Sequence, residues 1–234
     1  MTAAAPDTDP RQPSIGAVRD NQRLDEAALN TWFRAHVADP AEPLVLSQFN
    51  RGASNPTYLI TAGTQRWVLR KKPPGTLLPS AHQVDREYRV MSALGGIGFP
   101  VPRMRALCED ASVIGTAFYV MDFLEGRIFR DARLPGMQPA ERAAIYDDLN
   151  ATLARLHQVD YAAIGLADYG RPGNYFQRQI DRWIKQYRGA ETETIPAMER
   201  LIAELPARIP ASDEVSIAHG DYRLENVMFH PTEP

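Results

Sequence analysis

The apolar residues of this chain repeat in two ways, and the changeover falls near Gly126. Before it, short runs alternate with period two, as in strands; after it, apolar residues recur every three or four positions, as on helices. Leu44 to Phe49, Tyr58 to Thr61, Arg66 to Arg70, Val101 to Cys108 and Thr116 to Leu124 read as strands. Ala62-Gly63-Thr64 and Asp110-Ala111-Ser112 mark turns between neighbours. A helix from about Ser80 to Leu94 interrupts them, with Val84, Tyr88, Met91 and Leu94 on its apolar face and Gly95-Gly96 to stop it. Five strands around one main helix form a small α+β lobe. An earlier helix has Asp25 as its N-cap and carries Leu29, Trp32, Phe33 and Val37 on one face, ending before Pro40 and Pro43.

Beyond Gly126 three helical stripes follow. The first runs from Pro139 to Gln158 through Ile145, Leu149, Leu153 and Leu156; the second holds Phe176, Ile180, Trp183, Ile184 and Tyr187; the third holds Met198, Leu201, Ile202 and Leu205. All three read as core. Residues 1–22, rich in Ala, Asp, Pro and Arg without period, read as a mobile tail. The expected division is this tail, an N-terminal lobe over 23–124 and a partial, mostly helical C-terminal lobe over 125–234.

With 234 residues, 44% hydrophobic and 24% charged, the composition is that of a globular protein with a sizeable core. A net charge of -3 provides no basic field for nucleic acid, and no apolar run approaches a membrane span. The start of the chain lacks the basic and apolar blocks of a signal peptide. Cys108 is the only cysteine, in a run that reads as a buried strand, so neither an internal disulfide nor a cysteine-based zinc site can form. A reducing cytoplasm is the expected location.

The stretch His219-Gly220-Asp221-Tyr222-Arg223-Leu224-Glu225-Asn226 fits H-x-D-x-x-x-x-N, the spacing of a kinase catalytic loop. Phosphoryl transfer needs a carboxylate that reaches the attacking hydroxyl and an amide oxygen that holds Mg²⁺ on the phosphates. Asp221 and Asn226 fill those places, and His219 is the other candidate catalytic residue. Gly52, Ala53, Ser54 and Asn55 lie in a small-residue loop whose backbone N–H groups could approach a phosphate; an ordinary hairpin loop fits the same residues. The third strand ends in Arg70-Lys71-Lys72. Alternation puts Arg70 and Lys72 on one face and Lys71 on the other, with Arg70 the better-placed phosphate cation and Lys72 the fallback. Glu87, beside the apolar face of the helix, is the expected partner of Arg70. The run Phe118 to Gly126 suits a hinge that reads adenine through the backbone of Asp122 and Leu124.

Four stretches, taken in order, resemble the aminoglycoside phosphotransferase and choline kinase-like family: Trp67 to Gly75, Asp85 to Tyr88, Phe118 to Gly126 and His219 to Phe229. They are most similar to the branch found as stand-alone bacterial phosphotransferases and as a domain fused to acyl-CoA dehydrogenases. Gly220, where protein kinases commonly have Arg, points to the small-molecule branch. The resemblance implies a protein-kinase-like two-lobe fold and ATP- and Mg²⁺-dependent phosphorylation of a small-molecule hydroxyl. Family members also carry a metal-binding aspartate on a strand after the catalytic loop. The residues from His230 to Pro234 offer none, so the chain reads as truncated, and an inactive nucleotide- or partner-binding remnant is the alternative expectation. Neither nucleic acid nor membrane is an expected partner. The missing cover on the helical stripes implies self-association through exposed C-terminal-lobe apolar surface. No acidic cluster suited to an aminoglycoside stands out beyond residues such as Asp147 and Asp148, and hydroxylated acyl compounds or other metabolites fit equally well.

Overall fold

A computed structural model describes residues 14–50, 55–73, 83–171, 173–211 and 214–233. They form two compact units, one drawn from the described residues of 14–154 with 219–233, the other from those of 155–218.

The first unit is built on an antiparallel sheet. Its strands are β1 (Ile15–Gly16), β2 (Val45–Phe49), β3 (Thr57–Ala62), β4 (Gln65–Lys71), β5 (Met104–Cys108) and β6 (Phe118–Asp122), in the spatial order β1-β2-β3-β4-β6-β5. Gly63, at φ +58°, makes the tight β3–β4 turn. Helix α1 (Glu26–His36) starts at Asp25, whose side chain accepts from the Ala28 N–H at 2.9 Å. Its Leu29 and Phe33 pack on Trp67, Leu69, Phe118 and Val120, closing one face of the sheet together with α3 (Ala111–Ile114). Helix α2 (Val84–Gly96) contacts β5 and β6 and buries Val84 and Leu94.

Three expectations for the first unit need correction. Residues 14–22 are not a loose tail: β1 pairs with β2, Arg19 N–H donates to Gln48 at 3.0 Å, and Tyr58 Oη donates to the Gln22 carbonyl at 2.7 Å. Residues 1–13 lie outside the described residues. The main helix continues through Gly95 and Gly96. It ends where Gly98, at φ +73°, turns the chain and Phe99 N–H returns to the Leu94 carbonyl. The sheet also gains a sixth strand, β1.

From Gly126 the same unit continues into the linker and most of α4 (Pro139–His157). Ile145 and Leu149 of α4 form a second core with Phe129, Leu134, Leu224 and Phe229. The second unit carries α5 (Tyr175–Ala190) and α6 (Pro196–Glu204). A bidentate pair between Arg188 and Glu199, at 2.6 and 2.7 Å, ties the two helices together. The stripes on α5 and α6 are not core in this structure: neither helix has a buried residue, and Trp183 is 62% and Leu201 48% exposed.

Candidate functional site

The site residues belong to the first unit and fall into two groups. The first group lies on the sheet face that meets α2. Arg70 comes from β4 and Glu87 from the first turn of α2. Arg70 Nε donates to Glu87 Oε2 at 2.9 Å and Nη2 to Oε1 at 3.4 Å, with both side chains half-buried. Strand alternation explains the choice. Trp67 and Leu69 face α1, so Val68 and Arg70 face α2. Lys72, the fallback cation, is 3.7 Å from Asp85, two residues before Glu87 in the same first turn of α2. Lys71 is turned to the α1 side and is buried, which pushes its pKa down.

Gly52, Ala53 and Ser54 lie outside the described residues. Asn55 is described and is 2% exposed, with Nδ2 donating to Glu87 Oε1 at 3.0 Å. Its side chain is therefore committed to the α2 carboxylate. Tyr119, a cross-strand neighbour of Arg70, donates Oη to Glu87 Oε2 at 2.9 Å. Burial, and then the charge of Glu87, push the Tyr119 phenol far above its ordinary range. Sequence reasoning passed over both contacts. A polar tip on an otherwise apolar strand was the one available sign for Tyr119.

At the linker, Asp122 N–H is already bonded to the Arg103 carbonyl at 2.9 Å. The Asp122 carboxylate accepts from Arg105 at 2.5 and 3.1 Å. Leu124 is exposed, and its N–H makes no backbone hydrogen bond among the described residues. Arg66 lies over the Phe123 ring and pairs with Glu125. Gly126 is buried where the linker crosses residues 228 and 229. An added Cβ would sit 2.3 Å from Met228 Cγ and 2.5 Å from the Phe229 carbonyl oxygen. Next to it, Arg127 and Phe229 exchange two backbone hydrogen bonds of 2.9 Å.

The second group is the loop His219 to Asn226. Gly220 has φ +83°, a backbone state that a side chain would strain, and this accounts for glycine in H-G-D. Tyr222 anchors the loop on α4 by donating to the Leu149 carbonyl at 2.8 Å, and Leu224 is buried beside it. A 3-10 turn, Leu224–Asn226, brings Asn226 back onto Asp221. Asn226 Nδ2 donates to Asp221 Oδ2 at 2.7 Å and to the Asp221 carbonyl at 2.9 Å. With its nitrogen spent twice, Asn226 has its Oδ1 left to serve as a metal ligand, and a hard oxygen is what Mg²⁺ takes. Among the described residues no cluster of three His, Cys, Asp or Glu could hold a metal, so Asn226 fits as a single protein ligand beside phosphate oxygens. Arg223 Nε is 3.2 Å from Asp221 Oδ1 and reaches Glu225 at 2.8 Å. His219 Nδ1 accepts weakly from the Asp221 N–H at 3.4 Å, and its ring meets Tyr222 edge-on. His219 therefore braces the loop.

Comparisons with known proteins bear on the family and the fold. Residues 45–234 match the family described as "Phosphotransferase enzyme family". The chain is 47% identical over 220 residues to acyl-CoA dehydrogenase family member 10 of Mus musculus, covering 94% of this chain and 21% of that protein. It thus spans about a fifth of that relative's length. A presumed aminoglycoside phosphotransferase of Ralstonia eutropha, solved by crystallography, superposes with a TM-score of 0.80 at 55% identity, over 90% of this chain and 62% of that one. Spectinomycin phosphotransferase, solved with ADP and spectinomycin, shares the fold at 12% identity and a TM-score of 0.59, over 91% of this chain and 67% of that one.

Proposed function

Because the chain belongs to the phosphotransferase enzyme family, we propose that it transfers the γ-phosphoryl group of ATP to a hydroxyl of a small molecule. The observation that carries this reading is the Asp221–Asn226 contact at 2.7 Å, which fixes a carboxylate and an amide oxygen side by side on one short turn. Asp221 orients the acceptor hydroxyl and takes its proton as the acceptor oxygen bonds to the γ-phosphorus and the bond to the β-phosphate oxygen breaks, releasing ADP. Asn226 Oδ1 would hold Mg²⁺, which when bound supplies charge neutralisation to the phosphates. Arg70, fixed by Glu87, binds the α- and β-phosphates. Adenine is read by the Leu124 N–H and the Asp122 carbonyl, since the Asp122 N–H is used within the sheet. The loop with Gly52, Ala53 and Ser54 would cover the phosphates.

For the acceptor we favour a hydroxylated acyl compound, because a relative that carries this domain is named an acyl-CoA dehydrogenase. A cytoplasmic location suits the single, buried Cys108 thiol. No described helix is long and apolar enough to cross a membrane.

Calorimetric titration with ATP in the presence of Mg²⁺, followed by ³¹P NMR with a panel of hydroxylated acyl compounds, tests the reading. The expected result is binding followed by a new phosphomonoester signal. No ATP binding would reject the reading. Binding without transfer to any hydroxyl would favour the inactive, nucleotide-binding alternative.

A further inference from the structure

The Glu87 carboxylate is gripped from three elements. Arg70 of β4, Tyr119 of β6 and Asn55, just before β3, all donate to it, at 2.9, 2.9 and 3.0 Å. Each oxygen receives a neutral donor as well as the guanidinium. Oε2 takes Tyr119 with Arg70 Nε, and Oε1 takes Asn55 with Arg70 Nη2. Tyr119 and Asn55 are almost wholly buried, at 1% and 2% exposure, while Arg70 and Glu87 are half-open to solvent. Placing a tyrosine hydroxyl and an amide in such surroundings is costly unless they are bonded, so these contacts fix where the carboxylate sits. Among the described residues Arg70 Nη1 has no hydrogen-bond partner, which leaves one edge of the guanidinium open to an incoming oxyanion.

We propose that Tyr119 and Asn55 are positioning residues of the nucleotide-phosphate site: acting through Glu87, they hold Arg70 with its open edge set for phosphate before any nucleotide arrives. This rests on the nucleotide reading given above. A carboxylate held by Arg70 alone could rotate and draw the whole guanidinium fork onto itself. Two further donors on its two oxygens fix the plane of the carboxylate, and through it the plane of the fork. The aromatic ring of Tyr119 can remain when its hydroxyl is removed, so its hydrogen bond can be tested without emptying the core.

The test compares ATP with adenosine, both titrated calorimetrically into the full chain and into Tyr119→Phe, Asn55→Ala and Glu87→Gln. Tyr119→Phe is expected to weaken ATP about five- to tenfold, the size of one typical hydrogen bond, and to leave adenosine unchanged. The double variant of Tyr119→Phe with Glu87→Gln should lose no more than Glu87→Gln alone, because the tyrosine acts only through that carboxylate. Equal losses for ATP and adenosine, or additive losses in the double variant, would assign Tyr119 to general packing and overturn the proposal. ATP binding undiminished in both Tyr119→Phe and Asn55→Ala would overturn it as well. Failure of the parent chain to bind ATP would instead remove the nucleotide reading, and this proposal with it.

Discussion

Arg70 and Lys71 are neighbours in the chain but serve opposite faces of one sheet. Arg70 meets Glu87 at 2.9 Å on the α2 side, while Lys71 is buried on the side packed against α1. Arg70→Ala is therefore expected to weaken ATP binding at least about tenfold, since a charge-assisted phosphate contact is lost, and Lys71→Met to leave it unchanged. Calorimetric titration of both variants checks this. Loss of binding in Lys71→Met would mean the strand presents its residues one position out of register.

Lys71→Met has a second expected effect, on stability. Burial lowers the pKa of Lys71, so at neutral pH the folded chain carries a desolvated charge that the unfolded chain keeps in water. The variant should be more stable than the parent, with a midpoint higher by about 2–4 °C for each 1 kcal/mol gained. As pH rises through the lowered pKa toward the ordinary lysine value of 10.5, the parent sheds that charge and the difference narrows. Thermal unfolding across pH reads the trend, and a gap that widened with pH would contradict it.

Gly126→Ala should destabilise the first unit by about 1–3 kcal/mol, because its Cβ would meet the Phe229 carbonyl oxygen at 2.5 Å, and backbone yields less readily than a side chain. Gly96→Ala is the control. Nothing lies within 4 Å of its Cβ, and alanine favours the helix by up to about 1 kcal/mol. Denaturant titration of the two variants should move in opposite directions.

Asp221→Asn should abolish most phosphoryl transfer and spare ATP affinity. The amide still accepts from Asn226, so the turn is retained, but it can no longer take the acceptor's proton. Retained turnover would move the proton-accepting role to another group.

The helices α5 and α6 expose Tyr175, Phe176, Trp183, Ile195, Leu201 and Leu205. We expect the 234-residue chain to self-associate through this surface, with a second copy covering it, and Trp183→Lys to shift it toward monomer. Sedimentation velocity over a range of concentrations decides: a parent that stays monomeric throughout would reject the expectation.

What could be read from sequence was local. Alternation in β4 separated Arg70 from Lys71, helical spacing put Glu87 at the edge of the apolar face of α2, and Asp25 signalled its own cap. What could not be read depended on distant pairing. Strand β1 is two residues long, too short to show a period, and exists because β2 offers it an edge. Tyr119 reaches Glu87 because β6 inserts between β4 and β5, an order that no local pattern encodes. The stripes on α5 and α6 were correctly read as apolar, but periodicity tells which side of a helix seeks cover, not whether cover is supplied.

The crossing at Arg127 ties down the segment that follows Asn226. Besides its two backbone bonds to Phe229, Arg127 holds the His230 carbonyl at 2.9 Å and the Glu233 carbonyl through its guanidinium. A pull applied at residue 233 would load the linker at Arg127 before any tension reached Asn226. The clasp acts as a strain relief, so the alignment of Asp221 with Asn226 is insulated from movement of residues 230–233.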